Sequence, residues 1–146
     1  MNNRRKQKLL GTVAPLLTQG EQIELASLAK VGSVSAKRRV LTTAVVGALT
    51  AGAVIAVAQP RPMYWVLTDR RLLFVEAVQG SGRPGKLLMS LPREYITAAP
   101  ASSALLGLGV KTVLTVQGQE QGLKLTFPPA VKADGRDLAG RLATAA

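Results

Sequence analysis

Cysteine and histidine are both absent from the 146 residues, and aromatic side chains are limited to two Phe, two Tyr and one Trp. Without thiol or imidazole there is no thiol nucleophile, no imidazole general base, no zinc finger and no haem or iron–sulfur centre held by those ligands. A disulfide framework is excluded with them. Acidic side chains are also scarce, eight Asp and Glu against 19 Lys and Arg. The carboxylates are scattered singly, so spacing offers no general acid and base pair, and Ser102 and Ser103 have no local base to activate them. The expectation is a chain that is not an enzyme and needs no metal or cofactor. Its core must be aliphatic, built from the Ala, Val and Leu that dominate a hydrophobic content of 47%, and its length suits one domain.

What is present in excess is positive charge. The formal net charge is +11 at pH 7, which points to an anionic partner, either nucleic acid or the cytoplasmic leaflet of a membrane. Arg4, Arg5, Lys6, Lys8, Lys30, Lys37, Arg38 and Arg39 stand against Glu21 and Glu24 before residue 40, so more than half of the surplus lies there. Nucleic acid is disfavoured: the few aromatics give no stacking platform, and no helix-turn-helix or finger pattern occurs.

Residues 1–19 read as a basic amphipathic helix, with Leu9, Leu10, Val13, Leu16 and Leu17 on one stripe. Its early basic cluster opposes the helix dipole, so folding alone does not account for it. The helix either lies on a membrane or docks on the domain. Gly11, Thr12 and Pro15 interrupt the apolar run, and Gln19-Gly20-Glu21 replaces a cleavage site, which argues against a secretory signal. The rest of the chain, 20–146, reads as one domain. A strand is expected from Ile23 to Val31, ending at Gly32.

Residues 33–61 differ in texture from what flanks them: their centre, 40–58, carries no charge and is bracketed by Lys37-Arg38-Arg39 and by Arg61. As a helix it would span ~28 Å, close to the ~30 Å hydrocarbon core. Ala44, Ala48, Gly52 and Ala56 recur every fourth residue and would give such a helix a smooth packing stripe. Three readings stay open: a membrane-inserted helix, a buried helix, or two strands at 40–46 and 53–58 favoured by the many Val, Ile and Thr.

After Pro62 the pattern becomes short strands at 63–68, 71–77, 86–91, 110–116 and 122–127, followed by a helix over 132–145 with Asp134 as its N-cap. Gly80-Ser81-Gly82-Arg83-Pro84-Gly85 matches G-x-G-x-x-G, but it lies between two strands and reads as a hairpin loop rather than a nucleotide-binding turn. In Thr68-Asp69-Arg70-Arg71 the two Arg either pair with Asp69 and Glu76 or bind an anion.

The run Tyr64-Trp65-Val66-Leu67-Thr68-Asp69-Arg70-Arg71-Leu72-Leu73-Phe74, with Leu91-Pro92 after it, resembles the hairpin of bacterial pleckstrin-homology-like (PH-like) domains. The resemblance covers about residues 20–31 and 62–146. It implies an α+β fold, a strongly bent antiparallel sheet or partly open barrel capped by a C-terminal helix. To that fold this chain adds the N-terminal helix and the apolar insertion. It also implies a binding or assembly module without catalytic activity, often attached to membrane segments and often oligomeric. Lys30, Lys37 and Arg39 are loosely similar to the basic loop with which eukaryotic relatives bind phosphoinositides.

Two functions follow as expectations. One is a cytoplasmic binding or scaffolding module at the inner membrane face, with Lys37, Arg38, Arg39, Arg61, Arg4, Arg5, Lys6 and Lys8 on anionic lipid. The other is a homo-oligomeric or protein-binding module whose small-residue stripe packs between subunits.

Overall fold

The computed structural model describes residues 1–35, 60–119 and 121–143. Helix α1 spans Asn3–Val13; Asn2 caps it by accepting from Arg5 N at 2.9 Å, and a 3-10 turn at Ala14–Leu16, containing Pro15, replaces its last turn. The strands are β1 Ile23–Ser35, β2 Arg61–Thr68, β3 Arg71–Ala77, β4 Pro84–Pro92, β5 Ile96–Ala98, β6 Ser102–Ala104, β7 Gly109–Val116 and β8 Gln121–Phe127, followed by helix α2, Lys132–Ala143. All pair antiparallel in the order β4-β3-β2-β1-β8-β7-β5, with β6 also on β7. The expected α+β arrangement is thus present, an antiparallel sheet with one helix at each end of the chain.

The long first strand joins the two halves. Its residues up to Val31 pair with β2, and Lys30–Ser35 pair with β8. It therefore runs past Gly32, where the sequence suggested a stop. A Cβ at Gly32 would lie 3.0 Å from Pro60 Cγ, so glycine serves there to let the returning chain cross the strand closely.

Strand alternation sends Met63, Trp65 and Leu67 to one side of β2 and Tyr64 and Val66 to the other. The inner side meets Leu72, Phe74, Leu91, Leu114, Leu123, Leu125 and Phe127, and α2 covers it with Leu138, Ala139 and Leu142. The outer side is covered as well. Leu9 and Val13 of α1 are fully buried against Ala26, Tyr64, Val66, Leu73 and Val75. The apolar stripe of α1 is therefore occupied by the sheet, which removes the reading of α1 as a helix lying apolar-face-down on a membrane. Its basic face stays exposed.

Asp134 is not an N-cap. It sits inside the first turn of α2, where its carboxylate accepts from the buried Ser27 hydroxyl at 2.8 Å and ties the helix to β1. A short strand, β6, occupies part of the expected loop before Gly109. The turn after β6 is unusual: Leu105 and Leu106 have φ of 53° and 56°, and Leu106 is fully exposed. A left-handed conformation costs a non-glycine residue roughly 1–2 kcal/mol, and Asn tolerates it best. Leu106→Asn is accordingly expected to raise stability by about 1 kcal/mol in urea unfolding. A loss of stability would mean that the leucine makes a contact in solution.

The segment 40–58, with Ala44, Ala48, Gly52 and Ala56, and the triplet Lys37, Arg38 and Arg39 lie outside the described residues. Among the described residues no helix is long and apolar enough to cross a membrane.

Candidate anion-binding surface

The Thr68–Arg71 turn that joins β2 to β3 is a structural clasp. Glu21, whose side chain is fully buried, receives Arg71 Nε at 2.9 Å and Nη2 at 3.1 Å, Thr68 Oγ1 at 2.6 Å and Thr18 N at 2.9 Å. Thr68 Oγ1 in turn accepts from the backbone N–H groups of Arg70 and Arg71. Arg71 Nη2 also donates to Leu16 O at 2.6 Å, and Asp69 exchanges backbone and side-chain hydrogen bonds with Gln22. Burial by itself pushes the Glu21 carboxyl up, but Arg71, the Thr68 hydroxyl and the Thr18 N–H outweigh it and hold the pKa at about 2. Arg71 thus pairs with Glu21 rather than with Glu76, and its guanidinium is too fully engaged to bind an external anion. Arg70 stands 4.0 Å from Asp69 and donates to Thr18 Oγ1 at 2.7 Å.

A second cluster lies beside the first. Glu24 receives Arg93 and Arg141, each at 2.9 Å, and Arg93 also donates to Thr68 O. Among the described residues every ion pair involves Glu21, Glu24 or Asp69, all at the start of β1 or in the turn after β2. Among the described residues the basic residues of α1 (Arg4, Arg5, Lys6 and Lys8), with Arg61 and Arg83, have no ion pair, as is true of Lys30, Lys86, Lys111, Lys124, Lys132 and Arg136, and all are exposed. Arg61 opens β2 and Thr68 ends it, so the length of one strand separates the neutralised end from a cationic one.

At that cationic end an open cavity of about 650 Å³ lies between α1 and the β3–β4 turn. Helix α1 contributes Arg5, β2 contributes Arg61 and Tyr64, β1 contributes Leu28, and the turn contributes Val78 to Gly82; Glu76 is the acidic residue on the wall. The Tyr64 hydroxyl donates to Gly82 O, and a Cβ at Gly82 would lie 3.7 Å from Arg5 Nη2. The turn is thereby tied to β2, with the Arg5 guanidinium of α1 close beside it. Gly80 and Gly82 have φ of 92° and 70°, the reason glycines occupy these places. Closing hydrogen bonds run from Val78 N to Arg83 O and from Gly82 N to Val78 O.

Of the basic residues expected to meet an anionic ligand, the structure brings Arg5 and Arg61 onto one cavity. Arg4, Lys6 and Lys8 remain on the exposed face of α1 outside it. Sequence reasoning missed the 78–82 turn as part of this surface. Its glycine spacing was visible, but its neighbour Arg5, more than seventy residues away, was not.

No protein-family model and no curated protein matches the sequence. Among solved structures the chain is similar to the apo form of an activated truncation of Vav1, with a TM-score of 0.56 at 12% identity over 96% of this chain. It is also similar to a structure that addresses the role of the PH and C1 domains of the Vav1 exchange factor, with a TM-score of 0.52 at 16% identity over 95% of this chain. It spans about a third of those chains, 32% and 33% of their length. A pleckstrin homology domain from Shewanella amazonensis is matched over 96% of its length at 16% identity and a TM-score of 0.46. At these identities the likeness is one of fold: the chain has a PH-like α+β fold, its sheet capped by the C-terminal helix, with α1 added outside.

Proposed function

We propose that the chain is a non-enzymatic PH-like binding module that associates with the anionic cytoplasmic face of a cell membrane. The separation of charge carries this reading. A chain of net charge +11 pairs Arg70, Arg71, Arg93 and Arg141 with carboxylates; among the described residues its other Lys and Arg have no ion pair, and six of them, Arg4, Arg5, Lys6, Lys8, Arg61 and Arg83, stand on α1, at the start of β2 and at the turn before β4. Basic residues near an anionic leaflet contribute about 1 kcal/mol each. In this reading Lys37, Arg38 and Arg39, which lie outside the described residues, also meet anionic lipid. In this reading the uncharged 40–58 segment inserts into or packs against the bilayer.

Vesicle flotation tests the reading. Full-length chain is expected to float with phosphatidylcholine vesicles containing phosphatidylserine and not with phosphatidylcholine alone, and added salt should weaken recovery. Replacing Arg4, Arg5 and Lys6 together by Gln should lower partitioning roughly a hundredfold, three charges at about 1 kcal/mol each. Recovery wholly in the soluble fraction with both lipids would refute membrane association.

Exposed Leu105, Leu106 and Leu108 favour a second reading, a self-assembling or protein-binding module. Light scattering on eluted protein separates the two. A defined oligomer in the absence of lipid whose mass falls in Leu106→Asn would support assembly, and an unchanged monomer would not.

A further inference from the structure

Helix α1 covers the outer side of β2 and β3, whereas the outer side of β7, β8 and the middle of β1 carries a different set of side chains. Alternation sends Val110, Leu114 and Val116 of β7, Leu123, Leu125 and Phe127 of β8, and Ala29 and Val31 of β1 into the core. Lys111, Val113, Lys124, Thr126 and Lys30 therefore point outward. Register brings the lysines together, because Thr126 pairs with Lys30 on one side and with Lys111 on the other. Lys30 and Lys111 are thus two strand spacings apart, about 10 Å, with Lys124 on the strand between them. All three are exposed, and among the described residues none has an ion pair. No outward position of β7 or β8 is acidic. An apolar margin adjoins the lysines. Gly109 is the outward position before Lys111, and a Cβ there would lie 3.0 Å from Leu105 Cδ1, so the Leu105 side chain rests on this face beside Lys111. Leu106 and Leu108 stand exposed in the same turn.

We infer that this face docks an acidic segment of a partner protein, its carboxylates on Lys30, Lys111 and Lys124 and its large apolar side chains against Leu105, Leu106 and Leu108. Positive charge without a carboxylate in reach fits a partner of opposite sign. The adjoining leucines call for apolar side chains on that partner, which a bare polyanion lacks. The three cations are all lysine, point charges that meet carboxylates singly, and none is the forked guanidinium favoured at phosphate groups. That chemistry favours a protein over lipid or nucleic acid. The inference goes beyond membrane association and does not rest on it, since Lys111, Lys124 and the leucines lie outside the cavity that Arg5 and Arg61 line.

Fluorescence anisotropy on the full chain tests it with two labelled probes: a short peptide of Glu interrupted by Leu and Phe, and the same peptide with each Leu and Phe replaced by Ser. Wild type is expected to bind the first about tenfold more tightly than the second. Lys111→Gln and Lys124→Gln should each weaken the first peptide about threefold. Leu106→Asn should erase most of the difference between the peptides, and because it relieves a left-handed leucine it does so without unfolding the chain. Lys86→Gln, an equal loss of charge on the exposed part of β4, should change neither. Equal binding of the two peptides, or weakening by Lys86→Gln as large as by Lys111→Gln, would assign the binding to net charge and overturn the inference. So would the absence of binding to either peptide. If Lys111→Gln and Lys124→Gln instead lowered recovery with phosphatidylserine vesicles and left the peptide unaffected, the face would belong to the membrane and the inference would fall. Peptide binding that needs Lys111, Lys124 and Leu106, in a chain that floats with neither lipid, would support the docking face and remove the membrane reading.

Discussion

Gly135→Ala is expected to destabilise the chain by about 3 kcal/mol, at the upper end of what overpacking a core costs. The sign is opposite to the usual one, since Ala in a helix interior is favoured over Gly by roughly 1 kcal/mol. A Cβ at Gly135 would lie 2.4 Å from both Cδ2 and Cγ of Phe127. That ring has no room to withdraw: it is fully buried and meets Trp65 edge to face, with centroids 6.0 Å apart. Either α2 lifts from the barrel, uncovering Leu138 and Leu142, or the aromatic pair repacks. Urea unfolding monitored by Trp65 fluorescence reads the change. A neutral or stabilised variant would show that α2 does not seat on Phe127.

Arg71→Ala should cost about 3–5 kcal/mol, because it leaves the buried Glu21 carboxylate without its charged partner. The pH dependence gives an independent check. The folded pKa of Glu21 is lowered from 4.5 to about 2, so its contribution to stability is complete above the unfolded value and is lost as pH falls from about 4.5 through about 2. A shift of this size corresponds to roughly 3 kcal/mol. In Arg71→Ala that dependence should collapse, since burial then acts on the carboxyl with less opposition. The gap between wild type and variant should therefore shrink in acid. A gap that stays constant down to the acid transition would mean that the clasp is not electrostatic.

How much of this was legible varies element by element. The β2–β3 hairpin was readable because Thr68-Asp69-Arg70-Arg71 has turn chemistry between two apolar runs. The final helix was readable from the spacing of Leu138 and Leu142. Partners distant in sequence were not. Nothing in spacing links Arg71 to Glu21 or Ser27 to Asp134, separated by 50 and 107 positions. Asp134 has the residue type of a cap, and tertiary contact gave it another role. The seat of α1 did leave a signal: Tyr64, Val66, Leu73 and Val75 make β2 and β3 apolar on both faces, the mark of strands covered on both sides. Amphipathicity reveals that a helix has an apolar face, and the second apolar face of the hairpin shows what meets it. The cavity was least legible, since Arg5, Arg61 and the 78–82 turn converge only once α1 is docked.

Amide hydrogen exchange of the full chain, with and without vesicles containing phosphatidylserine, tests the central claim most directly because it asks which end of the molecule meets the membrane. Added protection is predicted at residues 4–8, at Arg61 and across 78–83, with no change in the Glu21 and Glu24 clusters at the opposite end. Protection confined to the exposed leucines of the 105–108 turn, or none anywhere, would contradict it.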